Sequence, residues 1–369
     1  MLNSTDIFVI GGGPAGLAAA IAARRRGFRV TVADGASGPI DKACGEGLMP
    51  DGVAALQELG VLLGAETSYP FRGIRFLSGD IEVDSYFPKG SPGRGIRRTV
   101  LHQLLIERAA SLGIHLLWRT AVTGISADAV WLGRHGVKAR WIIGADGANS
   151  RVRRWAHLDS LHARRQRFAF RQHFRLAPWT DRMELHWGQQ GEVYVTPVSD
   201  DQVCVALISR DPKLRLSAAL HHFPQLQRRL NGVSSASSEK GATTVTSCLS
   251  QACLGNIALI GDASGTVDAI TGEGLRLAFR QATLLADCLV QQDLQRYETE
   301  HRRLALRPRL MSRLMLLLDG RPGLQIRTIR AFRQRPQIFQ RFLQLHVGGR
   351  PPFHLAVDGL ALGWGLLTA

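Results

Sequence analysis

The sequence predicts an α/β protein in which a parallel-sheet domain is interleaved with an antiparallel sheet and followed by a helical tail. Apolar runs end in glycine-rich turns at three widely separated places, as strands of a parallel sheet do before their helices. Residues 164–247, between the second and third turns, are rich in predicted strands, because the segments 168–176, 182–187, 192–197 and 202–208 alternate with the period of two expected for an antiparallel sheet. After residue 290 the apolar residues recur with helical spacing instead.

The first turn predicts a binding site for the pyrophosphate of a dinucleotide. The run 7–10 leads into Gly11-Gly12-Gly13-Pro14-Ala15-Gly16 and then into an alanine-rich helix, which is the strand-turn-helix context such a motif requires. Gly11 allows the tight turn, Gly13 lets the backbone approach the phosphates, and Gly16 lets the helix pack on the strand. Pro14 and Ala15 begin the helix, whose positive end faces the phosphates.

A second strand over 28–33 ends at Asp34, where a carboxylate accepts hydrogen bonds from ribose hydroxyls in a Rossmann-like domain.

The second turn places Asp146 and Gly147 after the buried run 141–145. The third places Gly261 and Asp262 after the run 257–260, with Asp262 able to hold a ribityl hydroxyl. Gly272 and Gly274 then open a helix whose amide groups can face a flavin ring edge that gains negative charge on reduction. The three turns together predict FAD as the cofactor.

With these motifs the chain resembles, over about residues 5–290, the flavin-dependent family of aromatic-ring hydroxylases, flavin halogenases and geranylgeranyl reductases. The resemblance implies that Asp34 holds the adenosine ribose. It also implies that Arg98, in the segment Ile96-Arg97-Arg98-Thr99-Val100-Leu101, contacts the cofactor. Gly45 and Val122 complete the predicted cofactor-binding residues.

The choice among the branches of that family stays open. The segments 268–274 and Lys42-Ala43-Cys44-Gly45-Glu46-Gly47 are more similar to the geranylgeranyl reductases. The aromatic signature of those reductases appears only as Tyr194-Val195-Thr196-Pro197, without its Trp. The halogenase signature of paired Trp residues is absent, so halogenation ranks third.

The resemblance favours an NAD(P)H-dependent monooxygenase that hydroxylates a hydrophobic aromatic or polyketide-like substrate, with NAD(P)H binding only transiently because no second glycine motif exists. One alternative is a geranylgeranyl-reductase-like enzyme that saturates carbon-carbon double bonds of an isoprenoid. The other alternative is a protein that binds FAD without turnover. Cys44 is the predicted proton donor for double-bond reduction, with Glu46 beside it.

Among the strand residues, His186 and Tyr194 are the predicted catalytic side chains, and His186 is the first to test. Arg171, His173 and Thr196 are further residues that could face the pocket, because alternation alone leaves the facing of each strand undecided.

Composition limits the remaining function classes. A chain of 369 residues with 45% apolar content is long enough for a nucleotide domain and a smaller substrate domain. Its five cysteines have no metal-like spacing, which predicts no metal site and a reducing cytoplasm. Signal-peptide and bilayer-spanning patterns are absent.

The net charge of +16 is concentrated in the tail, where twelve arginines and one acid, Asp319, lie between His301 and Arg350. The apolar residues beneath these charges have helical spacing. This pattern predicts either contact with the inner face of an anionic membrane or packing of basic helices onto the body of the protein. No nucleic-acid recognition motif is present, so nucleic acid is not an expected partner.

The predicted organisation has three parts. Residues 1–70, 91–163 and 248–300 form the FAD-binding domain, residues 71–90 and 164–247 form the substrate-binding sheet, and residues 301–369 form the basic helical region.

Overall fold

The fold was analysed in a computed structural model that describes residues 2–159 and 161–348, with the side chains of 161–165 left aside. The strands are β1 (Ser4–Ile10), β2 (Val30–Ala33), β3 (Gly47–Leu48), β4 (Tyr69–Phe71), β5 (Gly73–Ser78), β6 (Ile81–Tyr86), β7 (Gly93–Gly95), β8 (His115–Leu117), β9 (Gly124–Ile125), β10 (Ala129–Leu132), β11 (His135–Gly144), β12 (Leu161–Phe174), β13 (Met183–Trp187), β14 (Gly191–Ser199), β15 (Gln202–Ser209), β16 (Lys240–Leu249), β17 (Cys253–Leu254) and β18 (Ile257–Leu259). The helices are α1 (Pro14–Arg24), α2 (Pro50–Glu58), α3 (Arg98–Ser111), α4 (Arg151–Trp155), α5 (Leu216–Ala219), α6 (Pro224–Leu230), α7 (Gly274–Val290), α8 (Leu294–Leu318), α9 (Pro322–Gln334) and α10 (Pro336–His346).

The first sheet has the predicted parallel core. Its strand order is β17-β18-β11-β1-β2-β8, and the pairs from β18 to β8 are parallel. The hairpin of β9 and β10 extends from β11. All alanines of α1 after Ala15 are at most 1% exposed beside this sheet, since small side chains let a helix pack closely. The carboxyl ends of β1, β2, β11 and β18 therefore meet at one edge, where ligands bind in open α/β sheets.

The second sheet has seven strands in the order β16-β12-β15-β14-β13-β5-β6. All its pairs are antiparallel except that between β13 and β5. One face packs on α5 and α6 through a cluster that includes Val193, Val195 and Phe223. The other face packs on α8, α9 and α10 through a cluster that includes Leu185, Phe332 and Phe339. Residues 34–46, between β2 and β3, form the Cys44 loop. A third, small sheet of β3, β7 and β4 follows it.

The predicted interleaving is visible in the order of the strands. The hairpin β5–β6 leaves the first domain early and pairs with β13 of the second sheet, and the chain returns to the parallel sheet at β17 and β18. Helix α8 runs without interruption through residue 300, where the sequence places a boundary. Residues 349–369 of the predicted tail lie outside the described residues. In the described ranges, no helix combines the length and the apolar character needed to cross a bilayer.

Candidate functional site

The three glycine-rich turns come together at the carboxyl edge of the parallel sheet. Gly11 packs so tightly on the second turn that a Cβ there would lie 2.4 Å from the Ala145 carbonyl oxygen. A Cβ on Gly261, in the third turn, would lie 2.7 Å from the Cβ of Ala15. Residues of all three turns line one cavity of about 770 Å³. Segments that are more than a hundred residues apart in sequence therefore form one cradle.

The cradle has the open backbone surface that a bound dinucleotide requires. Several glycines line the cavity at positions where an added Cβ would meet no atom within 4 Å, so the missing side chains leave room for a ligand. These glycines are Gly13, Gly45, Gly147, Gly272 and Gly274. The Nε of Arg98 is buried at the same cavity and has no hydrogen-bond partner in the described part of the chain. A buried donor without a partner in the protein fits a cofactor contact.

The predicted acidic residues all line the cavity but differ in what they contact. Asp34 accepts hydrogen bonds from the N–H groups of Gly12, at 2.7 Å, and Ala36, at 2.8 Å, which fixes the first turn. Asp146 accepts from the N–H groups of Arg151 and Val152 and so caps helix α4. Asp262 is half-exposed, with Lys42 Nζ at 3.6 Å from its carboxylate. Val122 lines the cavity beside the first turn's strand and is buried.

His102 is a residue of this cradle that sequence reasoning missed. Its Nδ1 accepts the N–H of Ile40 at 2.8 Å, so its Nε2 donates to the Gly12 carbonyl at 2.6 Å. Burial lowers the pKa of His102, which keeps the ring neutral in this role. The only sequence signal was a histidine one turn after Arg98 on α3.

Cys44 and Glu46 lie in a loop between the cradle and the second sheet, and both line the cavity. The Cys44 Sγ accepts the N–H of Glu46 at 3.4 Å. Glu46 has a left-handed φ of 58°, which is unusual for a residue with a side chain. The Thr196 hydroxyl donates to the Gly45 carbonyl at 2.7 Å, and the Cys44 loop is thereby tied to β14.

The Glu46 carboxylate is buried and fully engaged. One oxygen accepts the N–H of Arg98 at 3.0 Å, at the start of α3, and the other lies 2.6 Å from His173 Nε2. Arg171, whose guanidinium contacts Asp41, lies 3.7 Å from Glu46. Glu46, predicted as a catalytic residue beside Cys44, is thus buried and caps the start of α3 through the Arg98 N–H. Sequence could not show this cluster because Glu46 and His173 are far apart in the chain.

A metal ion is one possible occupant of this region, because potential ligand atoms of Glu46, His173 and Cys204 lie within 4.8 Å of one another. The positive guanidinium of Arg171 beside them opposes cation binding. Burial raises the pKa of the Cys204 thiol, which opposes formation of the thiolate that metals bind. The arrangement is therefore that of a hydrogen-bonded cluster.

Beyond the Cys44 loop the cavity continues between the second sheet and the C-terminal helices, where its walls are apolar. The sheet supplies Ile74, Phe76, Met183, Leu185, Trp187, Ala206 and Ile208. Helices α8, α9 and α10 supply Met311, Leu314, Met315, Leu324, Phe332, Phe339, Phe342 and Leu343. The helical packing anticipated as the second explanation of the basic tail is thus present, and it forms one wall of the cavity.

The two predicted catalytic residues of the sheet face opposite sides. Tyr194 lines the cavity, and its hydroxyl donates to the carbonyl of Ile270, in the turn before Gly272. The structure does not bring His186 to the cavity. On β13, Leu185 and Trp187 face the cavity, so His186 between them faces the other side of the sheet, with Nε2 3.0 Å from Glu184.

A comparison with protein families matches residues 4–292 to the FAD binding domain. The chain belongs to this FAD-binding family. A relative in Mycobacterium tuberculosis, menaquinone reductase, is 30% identical over 327 residues, which cover 80% of this chain and 78% of the relative. The cofactor expected from the three turns is thus the one that the family binds.

Solved structures of flavoproteins share the fold. A flavoprotein/dehydrogenase from Cytophaga hutchinsonii has a TM-score of 0.81 at 20% identity, covering 93% of this chain and 92% of that one. A geranylgeranyl bacteriochlorophyll reductase-like protein from Thermoplasma acidophilum has a TM-score of 0.75 at 20% identity, covering 90% and 92%. An oxygenase of 2-methyl-3-hydroxypyridine-5-carboxylic acid has a TM-score of 0.71 at 22% identity, covering 87% and 90%. Because reductases and oxygenases both occur at this level of similarity, these structures establish the fold and not the reaction.

Proposed function

We propose that this FAD-dependent oxidoreductase saturates a carbon-carbon double bond in the isoprenoid chain of a lipid, such as a prenylated quinone. The observation that carries the proposal is the shape and lining of the cavity. It leads from the Cys44 loop into a space with apolar walls from both the second sheet and α8–α10. A long apolar chain is the kind of ligand that such walls stabilise.

The relatives support the same choice. The Mycobacterium tuberculosis protein is named for reduction of menaquinone, and the similarity to it covers most of both chains. The sequence alone marginally favoured hydroxylation, because the Trp of the reductase signature is missing at Tyr194–Pro197. The apolar cavity and the named relative shift the balance to the reductase alternative.

Several residues would hold FAD. Gly13, Ala15 and the start of α1 would face the pyrophosphate, Asp34 the adenosine ribose, and Asp262 the ribityl chain. Arg98 and the glycines at 272 and 274 would contact the ring side of the cofactor. FAD bound by these residues and reduced by NAD(P)H would supply a hydride to one carbon of the double bond.

The other carbon of the double bond would require a proton, and Cys44 would donate it from its thiol. The thiol lines the cavity, and the acceptor contact with the Glu46 N–H orients its sulfur. Hydride and proton together add two hydrogen atoms across the bond, and the apolar walls exclude the water that would compete for the reactive carbon. The Glu46, His173 and Arg171 cluster holds the loop that carries Cys44.

The experiment starts from the purified protein loaded with FAD, reduced chemically in the absence of oxygen and mixed with detergent-dispersed menaquinone. After air has reoxidised the quinone ring, mass spectrometry should show a product that retains two added hydrogen atoms in its isoprenoid chain, formed more slowly by Cys44→Ser. Cys253→Ser is a matched control, because Cys253 lies outside the cavity and its thiol donates hydrogen bonds to the Leu294 carbonyl and the Glu298 carboxylate.

An oxygen-dependent product that has gained an oxygen atom would contradict the proposal and establish the hydroxylase. FAD binding without turnover of prenylated quinones, prenylated phospholipids or aromatic substrates would leave only the binding role. A protein that binds no FAD would remove the basis of all three alternatives.

A further inference from the structure

The cavity reaches the protein surface at the turn between α8 and α9. Leu317, near the end of α8, lines the cavity and is nevertheless 54% exposed. The next residues after α8 include Asp319, which is buried in ion pairs with Arg167 and Arg210, and Gly320, which is exposed. Leu317 therefore marks an opening that is apolar on its inner side and in contact with solvent on its outer side.

The surface around this opening is cationic. Arg313 and Arg321, on either side of Leu317 in sequence, are exposed and make no ion pair in the described residues. The segment Pro322–His346, which forms α9 and α10, contains no Asp or Glu. Its arginines at 327, 330, 333 and 335 are also exposed.

Neighbouring acids do not neutralise this surface. Strand β6, which packs against α9 and α10, carries Glu82 and Asp84. Arg75 lies 3.4 Å from Glu82 and 2.7 Å from Asp84, and Arg182 lies 3.3 Å from Asp84. These carboxylates are already paired with arginines of the second sheet. They therefore do not neutralise the exposed arginines of α9 and α10.

A second exposed leucine extends the apolar character along α8. Leu306 is 51% exposed, and it lies on the same helical face as Leu310, Arg313 and Leu317, at spacings of four, three and four residues. Exposed leucines can insert among lipid chains, and an arginine between them can extend its long side chain to the lipid phosphates.

We infer that the α8–α9 turn docks on an anionic lipid bilayer, with Leu317 and Leu306 inserted among the lipids and Arg313 and Arg321 contacting lipid phosphates. A lipid chain can then pass from the bilayer into the cavity without crossing water. The inference rests on the proposed function for the identity of that chain, whereas the docking itself is measured without turnover.

The test is cosedimentation of the full-length, FAD-loaded protein with vesicles of phosphatidylglycerol and phosphatidylcholine, compared with vesicles of phosphatidylcholine alone. Binding is expected only to the anionic vesicles and should weaken as salt is added, because salt screens exposed charges. Arg313→Gln and Arg321→Gln should each reduce the affinity about fivefold. Leu317→Gln should reduce it further.

Matched controls are Arg134→Gln and Leu254→Gln, which alter exposed residues of the parallel-sheet domain. They should leave vesicle binding unchanged. Equal binding to neutral and anionic vesicles, or equal losses in the controls, would overturn the inference. So would salt-sensitive binding to duplex DNA without vesicle binding, or a dimer that hides the same residues.

The two proposals fail in different ways. If the protein binds anionic vesicles but does not saturate the isoprenoid chain of detergent-dispersed menaquinone, the proposed reaction is wrong and the docking surface stands. If the protein saturates that chain in detergent but does not bind anionic vesicles, the docking inference is wrong and the reaction stands.

Discussion

Arg167 and Asp268 form a buried ion pair, with 3.2 Å between Nη1 and Oδ1 and both side chains at most 2% exposed. The same guanidinium contacts Glu192 and lies 3.6 Å from Asp319. Asp268 begins the turn that leads to Gly272, and Asp319 directly follows α8. One side chain on β12 thus connects the second sheet, the cofactor-side turn and the helical wall of the substrate cavity.

Arg167→Met is expected to lower the free energy of unfolding by about 3 to 5 kcal/mol, because buried Asp268 and Asp319 would lose their counter-charge and Glu192 would lose its hydrogen-bond partner. Urea denaturation of the two proteins measures this difference. Arg210→Met is the control. Arg210 also pairs with Asp319 but is 59% exposed, so its loss should cost at most about 1 kcal/mol. Similar losses in both variants would contradict the central role of Arg167.

The same cluster predicts a pH dependence of stability. Burial raises the pKa of Glu192 to about 7, since the nearby acids Asp319 and Asp268 add to the effect and Arg167 only partly offsets it. The folded protein therefore keeps the Glu192 proton while the unfolded chain has lost it, and this contribution to stability is lost as pH rises from about 4.5 to about 7.

The measurement is the difference in unfolding free energy between wild type and Glu192→Gln as a function of pH. The wild type should lose stability relative to the variant by at most about 1.4 kcal/mol per pH unit in that window. The difference is needed because buried His102, His301 and His346 have lowered pKa values and change stability in the opposite direction. A flat difference curve would show that Glu192 is ionised throughout.

Two glycines of the first turn should respond differently to substitution. Gly13 has an extended backbone and open space toward the cavity, so Gly13→Val should fold normally and reduce FAD affinity at least about tenfold. A Cβ on Gly16 would lie 1.8 Å from the Gly11 carbonyl oxygen, so Gly16→Ala should destabilise the fold itself by about 1 to 3 kcal/mol. Thermal unfolding of the cofactor-free proteins and FAD titration separate the two effects. Normal FAD affinity in Gly13→Val would place the pyrophosphate elsewhere.

The cradle was predictable from sequence because its geometry is local and repeated. Each turn follows a buried parallel strand, and the carboxyl ends of such strands meet at one edge of the sheet. Strands β12 to β15 of the second sheet were predictable for the same reason, since alternation is a local property. The pairing of β12 with β16 was not, because it joins segments separated by more than sixty residues.

The walls of the cavity were only half predictable. The spacing of apolar residues such as Phe332 and Phe339 showed that the tail helices have an apolar face, but not what covers it. In the structure these two rings stack with 4.8 Å between centroids and line the cavity. Likewise, nothing near Glu46 in sequence indicates His173, because tertiary contacts and not local pattern bring them together.

The substitution Glu46→Gln tests whether the negative charge of Glu46 stabilises the Cys44 loop. Glu46→Gln retains an oxygen that can accept the Arg98 N–H, but it removes the negative charge opposite His173 and Arg171. The expected cost is about 1.5 to 3 kcal/mol of stability, the usual range for hydrogen bonds to a charged group. Urea denaturation checks the value. Asp146→Asn provides a comparison at an acid that caps α4 through backbone N–H groups. No loss of stability in Glu46→Gln would mean that the charge of Glu46 does not hold the Cys44 loop.

Substitutions of His186 and Tyr194 test which face of the second sheet binds the substrate. His186 contacts Glu184 and lies edge-on to Phe223 with 6.3 Å between ring centroids, on the side covered by α5 and α6. His186→Gln should therefore cost stability, by about 1 to 3 kcal/mol, and leave FAD affinity and turnover unchanged. Tyr194→Phe removes the hydroxyl that holds the Ile270 carbonyl, so it should lower FAD affinity or turnover while costing only about 1 kcal/mol of stability. The reverse result, with turnover lost in His186→Gln and retained in Tyr194→Phe, would mean that the substrate binds on the opposite face of the sheet from the cavity described here.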